Sequence, residues 1–241
     1  MTVNNEPLRK RNHSIKKKAL QCFNKEAPFT TLQGNFIMHE NSNKINTLTS
    51  EKNQRKIAPM NVQPESWGFC SGIGKYHSNK KGNNPYSQIT FNQILEMTKH
   101  PQQVSKSFAR WIIPSCYKGQ FARSSRHQAQ KGMYGLLWAD IDEIGHSPRD
   151  INQALAGLGC EALLYTTASA TKEKMKWRLI IPLAELIKPD VWHFLQNKIN
   201  KKLINYDIQP DRSSEKLNQI LFLPNAGEHY EYHKLNLEVS A

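Results

Sequence analysis

Asp140 and Asp142 stand one residue apart at the end of an apolar run, YGLLWADIDE (134–143). In a strand, residues i and i+2 share a face, so the two carboxylates leave the strand end side by side. Carboxylates that close repel unless a proton or a cation sits between them. Oxygen ligands on a strand suit Mg²⁺ or Mn²⁺ better than zinc. Further along, Thr166, Thr167, Ser169 and Thr171 precede Lys172, Lys174, Lys176 and Arg178. Hydroxyls and cations are the groups that hold phosphate oxygens. Asp207 and Asp211, the latter followed by Arg212, offer a third carboxylate, although either equally suits the capping of a turn. Three acids with cations opposite describe a two-metal site for nucleotidyl transfer. There the metals activate a 3′ oxygen and steady the leaving pyrophosphate.

The elements that must position these groups follow from period and punctuation. Tyr134–Ile141 reads as a strand. Pro148 opens a helix with Ser147 as N-cap and Asp150 in its first turn, running to about Leu158 and stopping at Gly159. ALLYTT (162–167) is a second strand and WRLIIPL (177–183) a third. Pro189 begins a second helix to about Leu203, with Val191, Phe194, Leu195, Ile199 and Leu203 on its apolar side. Gln219–Pro224 is a fourth strand, and a short β pair is expected over Tyr230–Leu237. The order β-α-β-β-α-β is the split βαβ or ferredoxin-like unit, an α+β fold. Right-handed crossovers put both helices on one face of a four-stranded antiparallel sheet and leave the other face for a ligand. Strands one and three are neighbours in this topology, which brings Asp140 and Asp142 near Arg178. Upstream, Ile89–Lys99 is an amphipathic helix stopped by Pro101, and a short helix or strand follows within 104–114. The basic segment 118–132 then feeds into the first strand, so Arg123, Arg126 and His127 are expected to reach nucleic acid bound at the acids.

The net charge of +13 is uneven. Residues 1–130 carry 20 Lys and Arg against six Glu and no Asp, and the remainder is close to neutral. Such asymmetry points to a polyanion partner, most simply nucleic acid. Residues 1–60 are polar, lack a sustained period and read as a basic, disordered tail, leaving 61–241 as the folded domain. No apolar run approaches the ~20 residues of a membrane helix, and the N-terminal residues lack a signal-peptide apolar block. The expectation is a cytoplasmic protein with no membrane partner. Cys22, Cys70, Cys116 and Cys160 lie far apart and read as buried or incidental reduced thiols. Gly72, Gly74 and Lys75 do not make a phosphate loop, because Phe69 and Tyr76 stand where that motif requires Gly and Ser or Thr. This excludes an ATPase or helicase built on that loop.

The runs GLLWADIDE, ALLYTTASATKEKMKWRLIIPL and DIQPDRSSEKLNQILFLPN resemble the archaeo-eukaryotic primase superfamily. More narrowly, they resemble the primase-polymerase domains of phage and plasmid replication proteins. The resemblance spans about Ser105 to Tyr232. It implies an RRM-like catalytic core, Mg²⁺ or Mn²⁺, and synthesis of primers or DNA from NTPs or dNTPs on a single-stranded or primed DNA template, with a separate replicative helicase as partner. Asp140 and Asp142 match the family's first motif, Ser169 the serine of its second, and Asp211 its late acidic residue. The second motif's histidine is replaced by Ala170. Ser169, Thr171, Lys172, Lys174 and Arg178 are then the groups left to bind the nucleotide. A second class of function is a catalytically weak or inactive primase-like nucleic-acid-binding protein acting in replication initiation. An RRM-type binder would stack bases on Tyr134, Trp138 and Trp177, but the RNP1 pattern is absent and aromatics in such strands are more often core. A metal-free initiator that reads origin DNA through the basic N-terminal half is a third class.

Overall fold

The computed structural model describes residues 67–74, 86–143 and 145–238, so the expected N-terminal tail lies outside the described residues. In chain order the elements are β1 (Phe69–Ile73), β2 (Ser87–Ile89), α1 (Phe91–Lys99), β3 (Arg110–Ile113), α2 (Ser125–Lys131), β4 (Tyr134–Ile141) and α3 (Pro148–Leu155). They continue as β5 (Glu161–Thr166), β6 (Trp177–Ile187), α4 (Pro189–Ile204), a 3-10 turn (Arg212–Glu215), β7 (Leu221–Phe222) and β8 (Tyr232–Asn236). The fold is α+β, with two antiparallel four-stranded sheets ordered β4-β6-β5-β8 and β2-β1-β3-β7.

Local signals set most of these elements. β4 is almost wholly apolar and almost wholly buried, as expected of a strand covered on both faces. α3 starts on a capping box in which Ser147 and Asp150 satisfy each other's backbone N–H. It stops at Leu155, a turn earlier than expected, and Gly157 (φ 86°) and Gly159 (φ 66°) take the left-handed conformation that turns the chain into β5. The expected neighbours of the first sheet are adjacent. Asp140 lies opposite Arg178, and Arg178 opposite Tyr165, so the three side chains form one row across β4, β6 and β5.

The fourth strand differs. Within Gln219–Pro224 only Leu221–Phe222 is strand, and it pairs with β3 rather than β4. The reason is at the open edge of β4. The Trp192 indole of α4 donates to Leu136 O at 2.8 Å. The Gln196 amide accepts from Trp138 N–H at 3.1 Å and donates to Trp138 O at 2.6 Å. Asp211 N–H bonds Asp140 O at 2.8 Å. Two side chains of α4 and the backbone of Asp211 thus fill the position a strand would take. The segment expected as a terminal β pair is instead β8, which extends the sheet from the edge of β5. Gln196→Leu leaves both buried backbone groups of Trp138 without partners, and a loss of about 2–4 kcal/mol is expected in urea unfolding. A melt unchanged from wild type would show that the edge is satisfied some other way.

The second sheet lies against the first near the Asp140 end. Phe222 O accepts from Arg178 Nη1 at 2.6 Å and from the Tyr165 hydroxyl at 2.9 Å. The face expected to be free is therefore partly roofed by β7. Tyr134, Trp138 and Trp177 are at most 1% exposed, so they are core and offer no base-stacking platform. Trp111 and Ile113 belong to a smaller cluster with Cys70, Tyr86 and Ala122 on the second sheet. Burial pushes the Cys70 thiol up to about 12, against the pull of Lys118 and Arg123, and Cys116 up to about 11. Both thiols are poor nucleophiles. Among the described residues, no helix is long and apolar enough to cross a membrane.

Candidate active site

Asp140 sits at the end of the row and is held from its β6 neighbour. Arg178 Nε and Nη2 donate to its two carboxylate oxygens at 2.7 and 2.6 Å, a bidentate fork, while Nη1 goes to Phe222 O. Burial works against the charge on Arg178. The Asp140 carboxylate beside it outweighs that and holds the guanidinium pKa above its ordinary value. Burial likewise raises Tyr165, which is committed as a donor to Phe222 O. Asp142, just past the strand, is 61% exposed at its side chain, and Lys176 Nζ stands 3.2 Å from its Oδ1.

The two acids open onto a pocket of about 300 Å³, the lower end of the range for small-molecule sites. Its other walls carry Lys106, Thr167, Ser169 and Lys176, with Arg178 behind Asp140. Ser169 thus lies where expected, with its hydroxyl 3.3 Å from that of Thr167. Thr171, Lys172 and Lys174 are not among the pocket's lining. Thr171 turns its hydroxyl to Glu173 and to Lys174 N–H, and Lys172 and Lys174 are exposed on the turn. Ala170 is buried, its N–H bonded to Thr167 O and its carbonyl to His229 N–H.

Asp211 is near the acids in backbone only. Its carboxylate accepts from Ser213 N–H at 2.8 Å and Ser213 Oγ at 2.7 Å, capping the 3-10 turn. Asp207 has φ 59° in the turn after α4, a conformation Asp tolerates better than most residues, and Arg212 pairs with Glu215. Arg123, Arg126 and His127 do not line the pocket either. α2 is tied to the start of β4, where Tyr134 Oη meets Gln128. The six steps along the strand from Tyr134 to Asp140 span about 20 Å at ~3.3 Å each.

The residues that sequence patterning missed are Lys106, Tyr165 and Phe222. Tyr165 is recoverable from register, since it occupies the row of Asp140 and Arg178. Lys106 has no such signal. It reaches the site only because β7 pairs with β3 and carries the segment before β3 over the first sheet.

The donor set fits a divalent cation of the Mg²⁺ class in one specific way. Asp140 uses two of roughly four lone-pair positions on Arg178. Asp142 is exposed, with Lys176 Nζ 3.2 Å from its Oδ1. Among the described residues no three His, Cys, Asp or Glu side chains converge as an all-protein cage. Mg²⁺ is ordinarily held by one or two carboxylates together with substrate phosphates, which is the arrangement Asp140 and Asp142 offer. Compared with known proteins, the chain matches no family model, no curated protein and no solved structure.

Proposed function

We propose that the chain is a DNA-directed nucleotidyltransferase of the primase-polymerase kind, acting on a single-stranded or primed DNA template with NTPs or dNTPs. The observation that carries this is the placement of Asp140 and Asp142 at the end of β4, facing a pocket that also presents Lys106, Lys176, Thr167 and Ser169. The adjacent β4, β6 and β5, with α3 joining β4 to β5, support an RRM-like core whose fourth strand is replaced at the β4 edge by α4.

In this reading Lys106 and Lys176 take the phosphate charge, and the Ser169 and Thr167 hydroxyls donate to phosphate oxygens. Arg178 acts through Asp140, fixing its carboxylate at the pocket wall. Asp140 and Asp142 would hold Mg²⁺ or Mn²⁺, which would supply Lewis acidity for attack of a 3′ hydroxyl on the α-phosphate with pyrophosphate as the leaving group. A replicative helicase is the partner this reading calls for, to supply the single-stranded template.

The test is primer synthesis and extension on single-stranded DNA with Mg²⁺ or Mn²⁺, using labelled NTPs and dNTPs in parallel. Product is expected, and its sugar identifies the substrate. One feature favours a second reading, a primase-like protein that binds without catalysis. Ala170, at the position of the family's histidine, is buried and supplies no charge to the pocket. Well-folded protein that binds DNA and yields no product would select that reading.

A further inference from the structure

The segment YKGQFARSSRHQAQK (117–131) holds Lys118, Arg123, Arg126 and Lys131 and no acidic residue. Within it Phe121 is 52% exposed. One side of its ring is backed by His127, with centroids 4.6 Å apart and planes 24° from parallel. His127 is itself held, its Nδ1 3.0 Å from Ser124 Oγ. The result is a fixed ring pair with Arg126 exposed beside it.

A path of cations leads from this ledge to the pocket. The Arg123 guanidinium stands 5.5 Å from the centre of the Trp111 ring, and the Lys106 ammonium 5.4 Å from that of Phe222. Trp111 and Phe222 are directly paired across β3 and β7, so both cations stand over the same face of the second sheet. Lys106 and Phe222 also line the pocket. Near that end Phe108, 70% exposed, offers another ring.

We propose that Phe121 and His127 form a stacking ledge for single-stranded nucleic acid. One base lies on the open side of Phe121, and the phosphates follow Arg126, Arg123 and Lys106 toward the pocket. A duplex is a poor fit, since its bases are already stacked and paired. Stacking on an aromatic side chain is tolerant of sequence, and backbone cations add the salt-dependent part of the affinity. Binding of this kind requires neither divalent metal nor catalysis, so it stands or falls apart from the proposed activity.

The test uses the full chain without nucleotide or divalent metal. Fluorescence anisotropy is read with labelled oligo-dT and oligo-rU of about 16 nucleotides, and with an abasic strand of equal length. Phe121→Ala is expected to weaken oligo-dT or oligo-rU binding about tenfold, with the affected strand telling DNA from RNA. It leaves abasic binding and the thermal melt unchanged, and Phe121→Trp keeps the wild-type affinity. Arg126→Ala lowers the slope of log affinity against log salt by about 0.7 on every strand. Wild-type affinity of Phe121→Ala for both base-bearing strands, or an equal loss on the abasic strand, overturns the proposal.

Discussion

Asp142→Ala is expected to abolish nucleotide incorporation while leaving the melting curve in place. The side chain stands largely in water, and its pairing with Lys176 is a surface ion pair worth at most about 1 kcal/mol. Little of the fold rests on it. In the proposed activity it is one of two carboxylates facing the phosphate-binding wall, and losing a preorganised electrostatic group of this sort costs on the order of 10²-fold or more in rate. Asp140→Ala is the less clean experiment, because it also strands a buried guanidinium. Single-turnover incorporation by Asp142→Ala, beside its thermal melt and its DNA affinity, separates chemistry from folding and binding. Wild-type rates in this variant would remove the acid pair from the site.

Arg178→Met carries the largest expected effect on stability, a loss of about 3–5 kcal/mol. Both oxygens of Asp140 lose their donors, and Phe222 O loses one of its two. For a chain of this size the melting temperature is expected to fall on the order of 10 °C. Replacing both partners by apolar residues removes the stranded charge, so Asp140→Leu with Arg178→Met is expected to recover most of the loss. Urea unfolding of the four proteins closes the cycle. A single variant as stable as wild type would show that the Asp140 carboxylate is solvated rather than held.

The strands and helices around the acids were legible because their signals are local. Apolar runs give β4, β5 and β6, while Ser147, Pro148 and Pro189 mark the helix starts. Which strands pair was less so. QILFLP does contain a strand, but its partner is decided by α4, whose buried side keeps the expected Val191, Leu195, Ile199 and Leu203 and widens beyond them. Phe194 is exposed with Lys198 over its ring, whereas Trp192, Gln196 and Asn200 are buried. A glutamine and an asparagine read as surface residues until a bare strand edge needs the amide of Gln196 and the 3-10 turn that of Asn200. The same limit applies at the site. Asp140, Asp142, Ser169 and Arg178 announce themselves by spacing, but Lys106 arrives through a pairing that sequence does not display. Asp211 shows the converse, since its position two residues before Ser213 makes it a cap.

The side-chain seal along β4 has a bearing on how the protein behaves in concentrated solution. A bare outer strand invites pairing with the same strand of another molecule. Here Trp192, Gln196 and the Asp211 N–H occupy those groups, as Ser115 and Pro210 do at its two ends. The opposite border, β8, is short and carries Lys234, a common deterrent to such pairing. Gln196 therefore protects against self-association as well as unfolding. Gln196→Leu is expected to aggregate at concentrations where the wild type stays dispersed.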